Sequence, residues 1–236
     1  MRVSIVVPIF NETENIRPLT DELMQLADWM EREVLIVDDG STDDTWQQIE
    51  AAAVAHTSIR PLRILKNMGQ SNAMLHGMHM ATGDVIVFMD GDLQNDPTEI
   101  PTLVDGLDSC DVVCGFRAKR QDSWSRRVGS RIANIVRNWI THDGIRDTGC
   151  SLKAFKSVFR DDIPHLDGAH RFLAAYFHLH GRIIREVPVG HRSRRFGESK
   201  YTNLKRLPRT VADLFGFHWY RKRLLHSVRE NSPVEP

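Results

Sequence analysis

The chain has 236 residues, 41% of them hydrophobic and 26% charged, with 31 basic side chains balancing 31 acidic ones. These are ordinary values for a globular protein that buries a sizeable core, and no apolar run approaches the roughly 18 residues of a membrane span. The N-terminus reads as a strand with acids close behind it, not as a secretory signal, so a cytoplasmic protein without a nucleic-acid partner is expected.

Val3–Ile9 reads as a buried strand, followed by a helical pattern through Ile16, Leu19, Leu23, Leu26 and Met30. Glu33–Asp38 is a second strand. Ser41-Thr42-Asp43-Asp44 then reads as a helix N-terminus, with short polar side chains to cap free N–H groups, and the helix runs to Ala55. Pro61–Leu65 is a third strand, and Gly69–Ala81 a helix closed by Gly83 in the left-handed position past its end. Val85–Asp90, Thr98–Leu107 and Asp111–Phe116 continue as strand, helix and strand. Strands separated by single helices predict right-handed crossovers and a mostly parallel sheet flanked by helices, the Rossmann-like α/β class that binds nucleotides. Farther on, Ser123–Thr141 reads as a helix with Val128, Ile132, Ile135, Val136 and Trp139 on one face. Ser151–Phe155 reads as an antiparallel strand, Ala169–His180 as a helix and Arg182–Val187 as a strand. Gly190–Tyr201 is a basic loop and Pro208–Leu225 a final amphipathic helix, with Pro208 in its first turn. Cys110 and Cys114, four apart in a strand, stand about 13 Å from each other. That is too far for a disulfide, and no four-ligand zinc spacing exists.

The neutral total hides a division. Residues 1–116 hold 6 Lys and Arg against 20 Asp and Glu, whereas residues 117–236 hold 25 against 11. An acidic half supplying metal ligands and a basic half supplying anion contacts accounts for this; solvated faces account for part of it more simply. The sharpest signal is Val85–Asp96, where an apolar run ends in Asp90, Asp92 and Gln94. Two carboxylates that close repel unless a cation sits between them, and hard oxygen donors suit Mg²⁺ or Mn²⁺. Ligands of open α/β sheets bind outside the carboxyl ends of strands, which is where these residues fall. An acidic turn after a strand is the plainer alternative.

The strand ends Val-Val-Pro-Ile-Phe-Asn-Glu, Ile-Val-Asp-Asp-Gly-Ser-Thr-Asp-Asp-Thr and Asp-Gly-Asp-Leu-Gln together resemble the donor-binding half of family-2 inverting glycosyltransferases of the GT-A fold. Gly115-Phe116-Arg117, Arg146-Asp147-Thr148-Gly149-Cys150 and Phe196–Tyr201 are similar to the polyprenyl-phosphate branch, whose archetype is dolichyl-phosphate mannose synthase. The resemblance spans roughly residues 3–205. It implies one GT-A catalytic domain over 1–205, with a nucleotide-sugar and metal half (1–116) and an acceptor half (117–205), followed by an extension over 206–236.

The same resemblance implies roles. Pro8, Phe10, Glu12, Asp38 and Asp39 line the nucleoside pocket, although Asp38–Ser41 is also readable as a turn with a helix cap. Asp90, Asp92 and Gln94 hold the divalent ion against the donor diphosphate, and Lys66 and Asn67 sit on the same rim or in a solvated loop. Arg117 and Arg131 meet the leaving and acceptor phosphates, and Arg194, Arg195 and Lys200 close over the substrate. Arg126 and Arg127 read as solvated helix residues, and Asp147 either lies near the acceptor or braces its loop. The implied reaction moves a sugar from a nucleotide-sugar donor, GDP-mannose first and UDP-sugars next, to a polyprenyl phosphate. That acceptor is dianionic near neutral pH and needs no general base.

In the last helix Val211, Leu214, Phe215, His218 and Trp219 share one side between basic ends, which describes an interfacial helix or one packed on the domain. The chain is expected on the cytoplasmic face of a membrane, peripherally or through a membrane subunit. A soluble or glycan acceptor would require a catalytic base. A signalling receiver domain also begins Val-Leu-Ile-Val-Asp-Asp, but here a whole strand–helix unit precedes that stretch.

Overall fold

The computed structural model describes residues 1–26, 30–118, 137–196 and 203–224, the last stretch with side chains from residue 210 onward. Most of the helix expected over 123–141 lies outside the described residues, of which 137–141 are helical. The strands are β1 (Val3–Ile9), β2 (Arg32–Asp39), β3 (Ile59–Ile64), β4 (Val85–Phe88), β5 (Val112–Arg117), β6 (Lys153–Lys156) and β7 (Ile184–Val189). The helices are α1 (Thr13–Met24), α2 (Thr45–Ala55), α3 (Gln70–Met80), α4 (Ile100–Gly106), α5 (Leu173–Leu179) and α6 (Asn203–Arg223).

The strands form one mixed sheet in the order β3-β2-β1-β4-β6-β5-β7. β6 runs antiparallel to both β4 and β5, while the other pairs are parallel. Six strands therefore share one direction, and their carboxyl ends line up along one edge with the start of β6. Alternation along β1 sends Val3, Ile5 and Val7 to the face packed with Ile16, Leu19, Leu23, Ile49 and Leu103. Val6 goes to the other face, with Met74, Met78, Phe155, Tyr176 and Phe177. Both faces are covered, which is why these strands read as continuous apolar runs.

Several local expectations are corrected by packing. α1 stops at Met24 and not at Met30, and the Arg32 guanidinium takes the carbonyls of Leu23 and Leu26 at its end. No side chain of the Ser41–Asp44 run caps α2 from the cap position. The Asp43 carboxylate accepts from the Thr45 amide (3.1 Å), and Ser41 and Thr42 are tied to Asn11. Gly83 is not a left-handed helix closure: a Cβ there would lie 2.7 Å from Ser4 Oγ and 2.8 Å from the Arg2 carbonyl oxygen, so close approach to β1 demands the glycine. The helix expected over 98–107 opens with a 3₁₀ turn at Pro97–Glu99 and continues as α4, and that over 169–180 opens likewise at Ala169–Arg171 before α5. Cys110 precedes β5; all three cysteines are buried and free.

α6 begins at Asn203, which places Pro208 inside the helix and not in its first turn. The helix packs through Phe217, which stacks on Phe172 (ring centroids 5.5 Å apart) and leans on Tyr176 (5.2 Å). Val211, Phe215 and Trp219 point outward, with Phe215 72% and Trp219 58% exposed. Among the described residues no helix is long and apolar enough to cross a membrane.

Glu33 is the buried polar tie of the acidic half. Burial opposes its ionisation, but hydrogen bonds from Ser4, Thr82 and Arg60 outweigh that and hold its carboxyl at about 2. Its folded pKa is depressed, so its contribution is complete above the unfolded value of 4.5 and disappears as pH falls toward 2. Glu33→Gln is expected to cost about 2–3 kcal/mol at neutral pH in urea unfolding. It should also flatten the loss of stability between pH 4.5 and 2; an unchanged acid slope would show that Glu33 is not the group responsible.

Candidate active site

The carboxyl edge of the sheet gathers an acidic rim. At the end of β2, Asp38 is fully buried; its Oδ1 accepts from the Ser41 amide (3.0 Å), and its Oδ2 makes no hydrogen bond, with Arg63 Nε 3.6 Å away. Asp39 spends both oxygens on the amides of Met68 (2.9 Å) and Gly69 (2.8 Å), so it fixes the loop that carries Lys66 and Asn67. Burial, helped by the Asp38 charge, raises its pKa against those two bonds. Gly40 has φ 70°, and a Cβ on it would lie 2.6 Å from the Asn67 nitrogen, so that loop is pressed against the end of β2. Pro8 and Phe10 flank the end of β1, half-buried, and Glu12 follows, accepting from Asn15 Nδ2 (2.5 Å). Lys66 and Asn67 are exposed on the rim.

Past β4 the backbone is under constraint. Gly91 faces Ile9, whose Cδ1 would lie 1.9 Å from an added Cβ, and Leu93, buried, adopts φ 62° between Asp92 and Gln94. A branched residue in the left-handed region is strained, and such strain collects at functional loops. The turn projects Asp90 and Asp92 into one another's field. Burial and then the Asp92 charge push the Asp90 carboxyl up to about 6, against a Ser151 hydrogen bond and the Lys153 and Arg194 charges. Gln70, the first residue of α3, donates to Asp90 Oδ1 (2.9 Å).

A basic strap crosses this rim. Arg194 Nη2 donates to Asp92 Oδ2 (2.7 Å), with its Nη1 3.9 Å from Glu12. Arg192 joins Glu22 (2.6 Å) and Asp96 (2.5 Å), and Arg195 stands 3.7 Å from Glu22. The Arg192 amide donates to the Gln94 carbonyl (2.9 Å), while the Gln94 side chain meets the Arg192 carbonyl and His191 Nε2, each at 3.4 Å. Gln94 thus faces the strap.

Arg117, at the end of β5, meets Asp147 through Nε (2.7 Å) and Nη2 (2.8 Å), and its amide reaches the same carboxylate. Of the two roles open to Asp147, the geometry is that of a loop brace. Arg131 and Lys200, like Arg126 and Arg127, lie outside the described residues. The structure therefore brings together Asp38, Asp39, Glu12, Asp90, Asp92, Gln94 and Arg194, and sets the Arg117–Asp147 pair on the β5 side of the same edge. Sequence reasoning missed Gln70, Ser151, Lys153 and Arg192. Arg192 sat in the basic run already noted, whereas nothing marks Gln70 except its place after Gly69. Lys153 is buried at the start of β6, its ammonium donating to the Cys150 carbonyl.

Comparison with known proteins places these features in context. Residues 4–163 match the model of Glycosyl transferase family 2. Over 208 residues the chain is 38% identical to the undecaprenyl-phosphate 4-deoxy-4-formamido-L-arabinose transferase of Sodalis glossinidius (strain morsitans), covering 86% of this chain. It spans 64% of the length of that relative. Glucosyl-3-phosphoglycerate synthase of Mycobacterium tuberculosis, solved with Mn²⁺, uridine diphosphate and glucosyl-3-phosphoglycerate, superposes with a TM-score of 0.66 at 21% identity over 93% of this chain and 79% of that one. The mannosyltransferase PcManGT of Pyrobaculum calidifontis, solved with GDP-Man and Mn²⁺, gives 0.67 at 21% identity over 92% and 63%. These two likenesses establish a shared fold.

The Arg117–Asp147 geometry makes a stability prediction. Arg117→Met should lose about 3 kcal/mol or more in urea unfolding, because it strands a buried carboxylate. Arg117→Met/Asp147→Leu should recover most of that loss. No loss in the single variant would free Arg117 for phosphate.

Proposed function

The chain belongs to glycosyl transferase family 2, and from that premise we propose that it transfers a sugar from a nucleotide-sugar donor to a polyprenyl phosphate, with inversion at the anomeric carbon. The observation that carries this reading is the arginine strap lying across paired carboxylates at the carboxyl edge of the sheet. The acceptor follows the 38% identity with an undecaprenyl-phosphate transferase. GDP-mannose leads the donors and UDP-sugars follow, in keeping with the nucleotides named with the solved relatives.

The donor set fits Mg²⁺ or Mn²⁺. Asp90 and Asp92 offer hard anionic oxygens, and burial first, then the Asp92 charge, raises the Asp90 carboxyl. Among the described residues no group of three or more His, Cys, Asp or Glu closes a metal site alone. Gln94, water and substrate phosphates complete the shell in this reading. When bound, the ion neutralises charge that develops on the departing diphosphate.

The remaining chemistry falls to the protein. Asp38 Oδ2, buried and without a hydrogen bond, accepts from a ribose hydroxyl or a base N–H, and Asp39 supports the wall beside it through the 66–69 loop. Pro8, Phe10 and Glu12 border that pocket. Arg194 stands on Asp92 in the free protein and exchanges that carboxylate for phosphate as substrate enters, with Arg131 and Lys200 assigned to the acceptor side. An oxygen of the lipid phosphate forms the new bond to the anomeric carbon. The bond from that carbon to the donor diphosphate breaks, and its electron pair leaves with the nucleoside diphosphate. A phosphate monoester is largely dianionic at neutral pH, so no proton has to move.

The outward face of α6 supports the lipid part of this reading. Val211, Phe215 and Trp219 form an apolar stripe beside Lys222 and Arg223, the composition of a helix lying in an anionic lipid surface. Such seating brings the domain to an acceptor confined to the membrane.

Incubation with a short polyprenyl phosphate, Mg²⁺ or Mn²⁺ and a panel of GDP- and UDP-sugars should give glycosylated lipid by mass spectrometry. Asp92→Asn should lower turnover by about a hundredfold or more while leaving thermal melting unchanged. Full activity in that variant removes Asp92 from the site, and product on a soluble acceptor alone overturns the lipid assignment. For the helix, Phe215→Asp/Trp219→Asp should release the protein from phosphatidylglycerol vesicles without lowering its melting temperature. Undiminished vesicle binding would argue against the interfacial role.

A further inference from the structure

Apart from the strap and the carboxylates, the described residues form a cleft of about 350 Å³ lined by Thr141, His142, His178, His180 and Arg221. It lies at the opposite edge of the sheet from the acidic rim. α5 and α6 run alongside each other in the same direction. Asp213 of α6 pairs with Arg171 ahead of α5, Phe217 meets Phe172 and Tyr176, and Tyr220 meets Tyr176. Arg221 therefore arrives beside His178–Gly181, just before β7 begins. The six residues of β7 then cover about 20 Å to reach the carboxyl edge at Val189.

The cleft is basic and under-satisfied. The His180 side chain is 8% exposed, and neither of its ring nitrogens makes a hydrogen bond. The carboxylate nearest to it, Asp162 with Oδ1 3.5 Å from Nδ1, is already held by the Arg182 guanidinium at 2.6 and 3.2 Å. Arg221 donates from Nη1 to the Ile140 carbonyl (2.9 Å), which leaves most of its guanidinium fork uncommitted among the described residues. His142, exposed with φ 55°, and His178 stand at the mouth. A buried polar group without a partner is costly, and a ligand that supplies the partner relieves the cost. Planar N–H donors converge there from three segments, the guanidinium of Arg221 carrying the fixed positive charge; that set matches a tetrahedral oxyanion, and the cleft has room for one with its substituent.

We propose that this cleft is a second anion site, which binds a phosphate group through Arg221, His180, His142 and His178. The phosphate belongs either to a free phosphate ester or to a lipid headgroup presented beside the apolar stripe of α6. The site makes no use of Asp90, Asp92 or the donor pocket, so it stands or falls independently of the proposed transferase reaction.

The test follows the imidazole resonances of the intact protein in proton–nitrogen spectra while inorganic phosphate is added, with sodium chloride of equal ionic strength as control. Saturable shifts confined to His142, His178 and His180 are expected with phosphate and not with chloride. Arg221→Gln should weaken the phosphate affinity about tenfold, the worth of a charge-assisted hydrogen bond. His142→Asn keeps a residue that tolerates the left-handed backbone and should weaken it about threefold, so the proposal remains testable if the first variant fails to fold. Absence of saturable shifts, or equal affinity in His142→Asn, overturns the site. Vesicles of phosphatidic acid and of phosphatidylcholine then separate the sources. Selective loss of phosphatidic-acid binding in Arg221→Gln identifies the headgroup, while unchanged vesicle binding together with the phosphate shifts identifies the free ester.

Discussion

Crowded negative charge at the carboxyl edge of the sheet is the constraint around which the molecule is organised. Parallel strands deliver Asp38, Asp39, Asp90 and Asp92 to one line because their carboxyl ends coincide, and Glu12, Glu22 and Asp96 follow from adjoining segments. Carboxylates buried and crowded in this way resist ionisation: burial first, and then the Asp92 charge, raises Asp90. Two kinds of relief are built in. Backbone amides take Asp39 and one oxygen of Asp38, turning charge into loop structure. Arginines take Asp92, Asp96 and Glu22 from outside. The opposite charges of the two halves of the sequence are thus partners across one surface and not merely separate solvated faces.

The two forms of relief differ in what they permit. An amide hydrogen bond inside a loop is part of the fold, and breaking it costs the loop. A guanidinium on a half-buried side chain exchanges partners at small cost, since its attraction to one carboxylate is replaced by attraction to another anion. Asp39 is accordingly fixed, whereas Asp92 is held by a ligand that can be traded. The strained turn at Leu93 directly follows Asp92, so the backbone is constrained beside that carboxylate.

Much of this arrangement was legible in the sequence, for identifiable reasons. β1, β2 and β4 are buried on both faces, and continuous β-branched runs signal that condition directly. The acids immediately past their ends inherit a position from the topology rule alone. What escaped were contacts made between segments far apart in the chain. Gln70 on Asp90, Arg192 on Glu22 and Arg117 on Asp147 join segments 20, 170 and 30 residues apart in the chain. Helix ends escaped for a related reason. Gly83 looked like a left-handed closure, but the demand on it comes from β1, which no local pattern records. Pro208 suggested a first turn, yet α6 starts five residues earlier.

α6 shows how far amphipathic patterning alone can carry an argument. Counting apolar residues at helical spacing grouped Val211, Leu214, Phe215, His218 and Trp219 on one side, and the helix was open to either packing or an interface. The structure divides the roles by a rotation that the pattern cannot contain. Phe217, absent from that grouping, is the anchor, and its stacking on Phe172 and Tyr176 fixes which residues turn outward. Once Phe217 is seated, Phe215 and Trp219 must face away from the domain, and Arg221 must turn back toward His180. One aromatic contact therefore determines both the exposed apolar stripe and the basic cleft. Neither feature can be altered by moving the helix without disturbing the other.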